Sequence, residues 1–133
     1  MESLLPLVLL LALTSITGII YRIKRGHIKK GKRLQILESE IGASYGKRAS
    51  ILQFSTTFCS ECRSAKAIVK DVVKELSDIS YIELDAESNL DLVRRVDIRS
   101  TPTTIFLDTN GYEIARAKGA PKRDQLIKAI QAL

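Results

Sequence analysis

Two cysteines, Cys59 and Cys62, lie only two residues apart and are the only thiols among the 133 residues of the chain. A run rich in strand-forming residues, 50–55, ends shortly before them, and a segment of helical periodicity begins at Cys62. The pair therefore lies where a buried strand is expected to pass into a helix. Unpaired N–H groups and the helix dipole stabilise a thiolate at such a position, so we expect the pKa of Cys59 to lie below the roughly 8.5 of a free thiol.

This spacing predicts two-step thiol–disulfide exchange. A Cys59 thiolate would attack a substrate disulfide, and Cys62, one helical turn further on, would attack the mixed disulfide and release the reduced substrate. Zinc and iron–sulfur sites also begin with this spacing, but a zinc site usually needs four nitrogen or sulfur ligands, and the one histidine, His27, lies far from the pair in the sequence. A structural disulfide or two inert core thiols would also be compatible with the spacing. We expect no bound metal and no cofactor.

The elements around the pair predict an α/β fold with a mixed sheet flanked by helices on both faces. After the strand over 50–55 and the helix that follows it, an alternating pattern predicts a second strand over 80–85. Apolar residues within 90–96 indicate a short helix. Upstream, 34–37 is compatible with a short strand and 38–46 with a turn or a brief helix.

The last third of the chain predicts a hairpin and a final helix. Residues 103–107 and 112–118 read as its two strands, and Asn110-Gly111 between them would supply the two positive-φ positions of a tight turn. Pro121 suits the first position of the closing helix, because a backbone N–H at that position would have no acceptor within the helix.

The amino-terminal segment predicts a membrane anchor. Residues 3–21 contain no charge, and as a helix this stretch would reach about 28 Å, close to the hydrocarbon thickness of a bilayer. A cleaved secretory signal is the competing interpretation. Such a signal starts with positive charge, whereas the only early charge here is Glu2.

The net charge of +6 is concentrated in one place. Seven of the 21 basic residues lie between Arg22 and Arg33 with no acidic residue among them, while the 14 basic and 14 acidic residues from Leu34 onward balance. The positive-inside rule then places everything after Arg22 in the cytoplasm. We expect a solvated linker that sets topology and could also contact anionic lipid headgroups. No nucleic-acid partner is expected, since the charge does not spread over a folded surface with stacking aromatics.

The order of elements, the Cys59–Cys62 spacing and the Ser-Thr-Pro-Thr motif at 100–103 together resemble the thioredoxin superfamily. The resemblance covers residues 49–133. It implies a cis-proline at Pro102 packed beside the cysteines, and backbone groups of Thr101 that pair with an extended substrate segment. Phe58, directly before the pair, would contact substrate as well.

Several residues depart from the family pattern. Thioredoxins usually carry Trp-Cys-Gly-Pro-Cys, whereas this chain has Phe-Cys-Ser-Glu-Cys at 58–62 and no tryptophan. Gln53 stands where the family has a buried aspartate that accepts a proton from the resolving thiol, and Tyr81 where a lysine is frequent. Glu61 disfavours a nearby thiolate and Arg63 favours one, which leaves the sign of their combined effect on Cys59 open.

The sequence thus predicts a transmembrane anchor over 1–21, a basic juxtamembrane linker and poorly defined lead-in over 22–46, and a thioredoxin-like domain over 47–133. We expect a single-pass membrane protein whose cytoplasmic domain is a thiol–disulfide oxidoreductase that reduces protein disulfides. Its partners would be disulfide-containing proteins and a thioredoxin-reductase-type reductant. A tethered, non-catalytic thioredoxin-like binding module is the second candidate function, and a dimer bridging a metal or iron–sulfur cluster through two cysteine pairs is a third.

Overall fold

The computed structural model describes residues 3–133. Its helices and strands are, in chain order, α1 (Leu5–Lys24), β1 (Ile28–Lys30), α2 (Glu38–Ile41), β2 (Ala49–Ser55), α3 (Ser60–Val73), β3 (Ile79–Asp85), α4 (Leu90–Arg95), β4 (Thr103–Leu107), β5 (Glu113–Lys118) and α5 (Arg123–Gln131).

The five strands form one mixed sheet in the order β1-β5-β4-β2-β3. β2 and β3 run parallel and are joined through α3, which supplies the crossover that a parallel pair requires. β4 runs antiparallel to both β2 and β5. The predicted α/β architecture with a mixed sheet and helices is therefore confirmed.

Apolar side chains cover both faces of this sheet. Successive residues of β2 point to opposite faces, so Ile51 belongs to one cluster while Leu52 and Phe54 belong to the other. The cluster on the side of α3 and α5 consists of Ile51, Val69, Val73, Ile79, Phe106, Leu126 and Ile130. The opposite cluster, on the side of α2 and α4, consists of Ile36, Ile41, Leu52, Phe54, Leu84, Leu92, Val96, Ile98, Ile105 and Leu107.

The basic segment 22–33 is not the solvated linker that its composition predicts. Residues Ile28–Lys30 form an antiparallel edge strand on β5, with Ile28 opposite Ala117. Ile28 also packs against the cluster beneath α3 and α5, where its apolar side chain is partly buried. The expected strand over 34–37 is reduced to a single bridge between Gln35 and Tyr112.

Two turn predictions are wrong in detail. In the hairpin only Gly111 has a positive φ, at 81°. The Asp108 carboxylate accepts hydrogen bonds from the N–H groups of Asn110 and Tyr112 and so favours a longer turn that closes with the glycine. The last helix begins at Arg123, two residues after Pro121. Lys122 between them is still in an extended conformation, with a ψ of 136°, so Pro121 lies outside the helix.

Helix α1 is predominantly apolar as far as its last turn, which contains Arg22 and Lys24, and it has no buried residue. Within residues 3–133 it is the one helix long and apolar enough to cross a membrane, a property that signal sequences and core helices share. The hydroxyls of Thr14 and Thr17 donate to the carbonyls of Leu11 and Leu13 in the same helix. These two hydroxyls therefore have hydrogen-bond partners that do not depend on water.

Candidate active site

The two cysteines lie at the start of α3, directly beyond the end of β2. Cys59 is the N-cap residue of α3, and its Sγ accepts a hydrogen bond of 3.0 Å from the backbone N–H of Cys62. Their Cα atoms are 5.1 Å apart and the two sulfurs form a disulfide. The sulfur of Cys59 thus occupies the position at a helix N-terminus where a thiolate is stabilised.

The two cysteines differ in their exposure to solvent. Cys62 is only 4% exposed, whereas Cys59 is partly exposed at the surface of the domain. Phe58 projects into solvent with 99% of its surface exposed, so it is free to contact another molecule. Of the two cysteines, Cys59 is therefore the one that another molecule can reach.

The segment predicted to bind substrate lies beside the pair. The Thr101–Pro102 peptide bond is cis, and Pro102 is buried while Thr101 is partly exposed. The hydroxyls of Thr101 and Thr56 lie 3.4 Å apart, which brings this loop against the residues that lead from β2 to Cys59. The carbonyl of Pro102 accepts a hydrogen bond of 2.8 Å from the N–H of Gly119. The N–H and C=O of Thr101 have no partner among the described backbone hydrogen bonds.

Gln53 lies fully buried behind Cys62 and makes three hydrogen bonds. Its Nε2 donates to the carbonyl of Cys62 at 3.0 Å and to Oγ of Ser55 at 2.9 Å. Its Oε1 accepts from the Tyr81 hydroxyl at 2.9 Å. Burial, with Glu83 as a second cause, raises the pKa of Tyr81 well above its usual range, so this hydroxyl remains a donor. The amide therefore holds the backbone of Cys62 in place but offers no basic group near it.

One contact at the site has no counterpart in the sequence analysis. Arg25, the residue that directly follows α1, forms an ion pair of 2.8 Å with Glu61, which lies between the two cysteines. The other oxygen of Glu61 accepts a hydrogen bond from the N–H of Ala120 at 3.3 Å. Arg25 also covers Gly119, where an added Cβ would lie 2.7 Å from the arginine Cγ. The basic segment thus contacts the residue between the two cysteines and compensates the charge of its carboxylate.

No local pattern predicts the pairing of Arg25 with Glu61, because the two residues are far apart in the chain. The only sign is a balance of charge: an arginine from the basic segment can neutralise a carboxylate within the cysteine motif.

Within residues 3–133 no group of three or more histidine, cysteine, aspartate or glutamate residues is arranged to hold a metal ion.

Comparison with known proteins gives a consistent picture. The family model described as Thioredoxin matches residues 35–132. Thioredoxin H5 of Oryza sativa subsp. japonica is 33% identical over 82 residues, covering 62% of this chain but only 59% of the rice protein. Thioredoxin of Gallus gallus is 27% identical over 106 residues, covering 80% of this chain and 98% of the chicken protein.

Solved structures agree. Thioredoxin f from spinach chloroplast is similar with a TM-score of 0.57 at 30% identity, covering 65% of this chain and 71% of the spinach chain. Fasciola hepatica thioredoxin, with a TM-score of 0.58 at 23% identity, covers 65% of this chain and 82% of its own and shares the fold.

The Gln53 network predicts a pH-dependent loss of stability in Gln53→Glu. The new carboxyl oxygen would face the Cys62 carbonyl, so the acid must stay protonated and its folded-state pKa is raised. The free energy of unfolding of the variant is then retained below the unfolded-state pKa of about 4.3, where the acid is protonated in both states. It falls as pH rises, by about 2 kcal/mol near pH 7. Urea unfolding at pH 4 and pH 8 measures this, with the exposed Gln131→Glu as control. An equal loss at both pH values would contradict the assignment.

The Arg25–Glu61 pair predicts that Arg25→Gln slows the reaction of Cys59. An uncompensated carboxylate two residues away disfavours the thiolate, so alkylation by iodoacetamide at pH 7 should fall about two- to fivefold, in a Cys62→Ser background. The added change Glu61→Gln should restore the rate. Lys70→Gln, which removes an equal charge further along α3, is the control. If its rate matches that of Arg25→Gln, the pair has no electrostatic role.

Proposed function

Because the chain belongs to the thioredoxin family, we propose that it reduces disulfide bonds of other proteins through a Cys59/Cys62 dithiol. Family membership and a cysteine pair at disulfide distance support a thiol–disulfide oxidoreductase. The observation that carries the proposal further is the asymmetry of the pair, with Cys59 accessible at the N-cap of α3 and Cys62 buried behind it.

The proposed reaction proceeds in two displacement steps. The Cys59 thiolate attacks one sulfur of the substrate disulfide, forming a mixed disulfide and expelling the other substrate sulfur as a thiolate. Cys62 then loses its proton and attacks Sγ of Cys59, which forms the intramolecular disulfide and releases the second substrate thiolate. The substrate gains two electrons and the dithiol loses two. A thioredoxin-reductase-type partner would return the pair to the dithiol.

Proton transfer distinguishes this site from the family pattern described above. Gln53 cannot accept the proton that Cys62 loses, and the partly buried Tyr81 hydroxyl is itself a donor. The proton therefore passes to water or to the leaving substrate thiolate. This supports a slower second step than a buried carboxylate would give.

The proposed substrate groove lies beside Cys59. The free backbone groups of Thr101 would pair with an extended substrate segment, as the resemblance implies, and Pro102 would form the floor of the groove. Phe58 would contact the substrate from the other side of the pair, which its full exposure allows.

We also propose that α1 anchors the enzyme in a membrane, with the domain on the cytoplasmic side. The exposure of every described residue of α1 supports the anchoring. The basic residues that follow the apolar stretch support the cytoplasmic orientation. The proposed division of the chain is an anchor over 1–21, a basic lead-in over 22–46 and the thioredoxin-like domain over 47–133, and the lead-in adds β1 to the sheet and Ile36 and Ile41 to the core of that domain. A cytoplasmic domain favours the reducing direction, because the cytosolic poise keeps such a dithiol reduced.

One observation favours a second candidate, a tethered binding module with idle thiols. An amide occupies the place of the family's proton-accepting carboxylate behind Cys62. Such a module would hold a partner at the Thr101–Pro102 groove without exchanging disulfides.

Single cysteine variants separate the two functions. Cys62→Ser should accumulate a mixed disulfide with a protein disulfide substrate, because the first step is intact and the second is blocked. Cys59→Ser should form no adduct and should lose at least about a hundredfold in exchange rate, because the buried Cys62 cannot reach the substrate. Non-reducing electrophoresis before and after dithiothreitol detects the adduct. Equal, non-covalent retention of a partner by both variants would instead support the binding module.

A further inference from the structure

A strongly basic hollow lies between the end of α1, the edge strand β1 and strand β5. Its volume is about 350 Å³, and seven lysine and arginine residues line it, with no aspartate or glutamate among the lining residues. Tyr21, in the last turn of α1, forms part of its wall. Of its lining residues only Arg25, through its ion pair with Glu61, has a part in the proposed redox chemistry.

Three of the seven cations are already neutralised by carboxylates of the domain. Their ion pairs are Arg25 with Glu61, Lys32 with Asp97, and Arg116 with Glu113. The last is buried and bidentate, with N–O distances of 2.6 and 2.9 Å. These pairs leave the charge of the remaining four side chains uncompensated.

The four remaining cations are Lys24, Lys29, Lys30 and Lys118. Across residues 3–133 none of them lies within ion-pair distance of a carboxylate, and all four are exposed. Like charges held around one hollow repel each other, so a bound anion would lower the electrostatic energy of the fold. Lysine is also a common ligand for phosphate.

The folded domain itself helps to build this charge. β1 and β5 are paired so that Lys29 lies directly opposite Arg116, and Lys118 is two residues further along β5 on the same face. The positive-inside rule accounts for basic residues that flank an apolar helix, but not for a lysine on β5 that faces the same hollow. The basic residues around the hollow therefore suit a ligand-binding site, and membrane topology alone does not explain them.

We propose that this hollow binds a phosphate-bearing anion. The ligand could be the headgroup of an anionic lipid or a small soluble phosphate compound. The hollow begins at Tyr21 and Lys24 in the last turn of α1, the depth at which lipid phosphates lie if α1 spans a membrane. The lipid source thus rests on the proposed anchoring, whereas the phosphate site itself does not.

The test uses the full chain, purified in a neutral detergent. Native mass spectrometry would count bound phosphatidylglycerol and phosphatidylcholine, and a separate titration with inorganic pyrophosphate would follow the thermal unfolding midpoint. The hollow variant carries Lys24→Gln, Lys29→Gln, Lys30→Gln and Lys118→Gln. The matched control removes four exposed lysines that lie outside the hollow and have no ion partner in the described residues, with Lys47→Gln, Lys70→Gln, Lys122→Gln and Lys128→Gln.

The proposal predicts that wild type and the matched control bind phosphatidylglycerol in preference to phosphatidylcholine, and that the hollow variant loses roughly a hundredfold in affinity. Pyrophosphate binding without lipid preference would support the same site with a soluble ligand. Binding of neither anion, or an equal loss in both variants, would overturn the proposal. Binding of an acidic peptide alone, with a decaglutamate as the probe, would also overturn it and assign the hollow to a protein partner.

Two further measurements keep the outcome interpretable. The milder Lys29→Gln/Lys118→Gln variant should show an intermediate loss even where the fourfold variant fails to fold. Disulfide exchange with a small soluble disulfide, measured on the same samples, reports on the proposed redox function by itself. Anion binding without exchange would contradict only the redox function, and exchange without anion binding would contradict only the site in the hollow.

Discussion

The burial of β2 along its whole length is the constraint on which the candidate site depends. All seven residues of this strand are buried, with β3 parallel on one side and β4 antiparallel on the other. A parallel neighbour requires a long crossover connection, which here contains α3; this helix begins soon after β2 ends and presents unpaired N–H groups there. Cys59 and Cys62 occupy that first turn. The chemistry expected of their sulfurs is thus a consequence of how the sheet packs.

Local patterns predict four of the five strands, β2 to β5, together with α3, α4, α5 and the position of the cysteine pair, because apolar periodicity reports directly on these elements. They could not predict β1, since one isoleucine, Ile28, is outweighed by its lysine neighbours and its partner strand lies near the other end of the chain. The same holds for the site. The sequence shows that Gln53 lacks a basic group, but not that it binds the Cys62 carbonyl. The Arg25–Glu61 pair is likewise a long-range contact without a local signal.

The basic lead-in over 22–46 fixes the position of the cysteine pair relative to the end of α1. Because β1 joins the sheet and Arg25 contacts Glu61, the end of α1 is held beside the cysteines instead of leading into a free tether. Under the proposed anchoring, the site stays close to the membrane surface. Its effective concentration would then be highest for disulfides in the same region. A flexible linker of similar length would allow a wider reach and a lower local concentration.

The reduction potential of the Cys59/Cys62 couple tests the central claim most directly. The full chain in neutral detergent would be equilibrated with defined thiol–disulfide buffers, and its free thiols counted by alkylation. A disulfide reductant should give a value of about −230 to −300 mV. A value of about −120 to −180 mV would mark an oxidant or isomerase and contradict the proposed direction. If no intramolecular disulfide forms at any buffer ratio, the pair is not a redox couple.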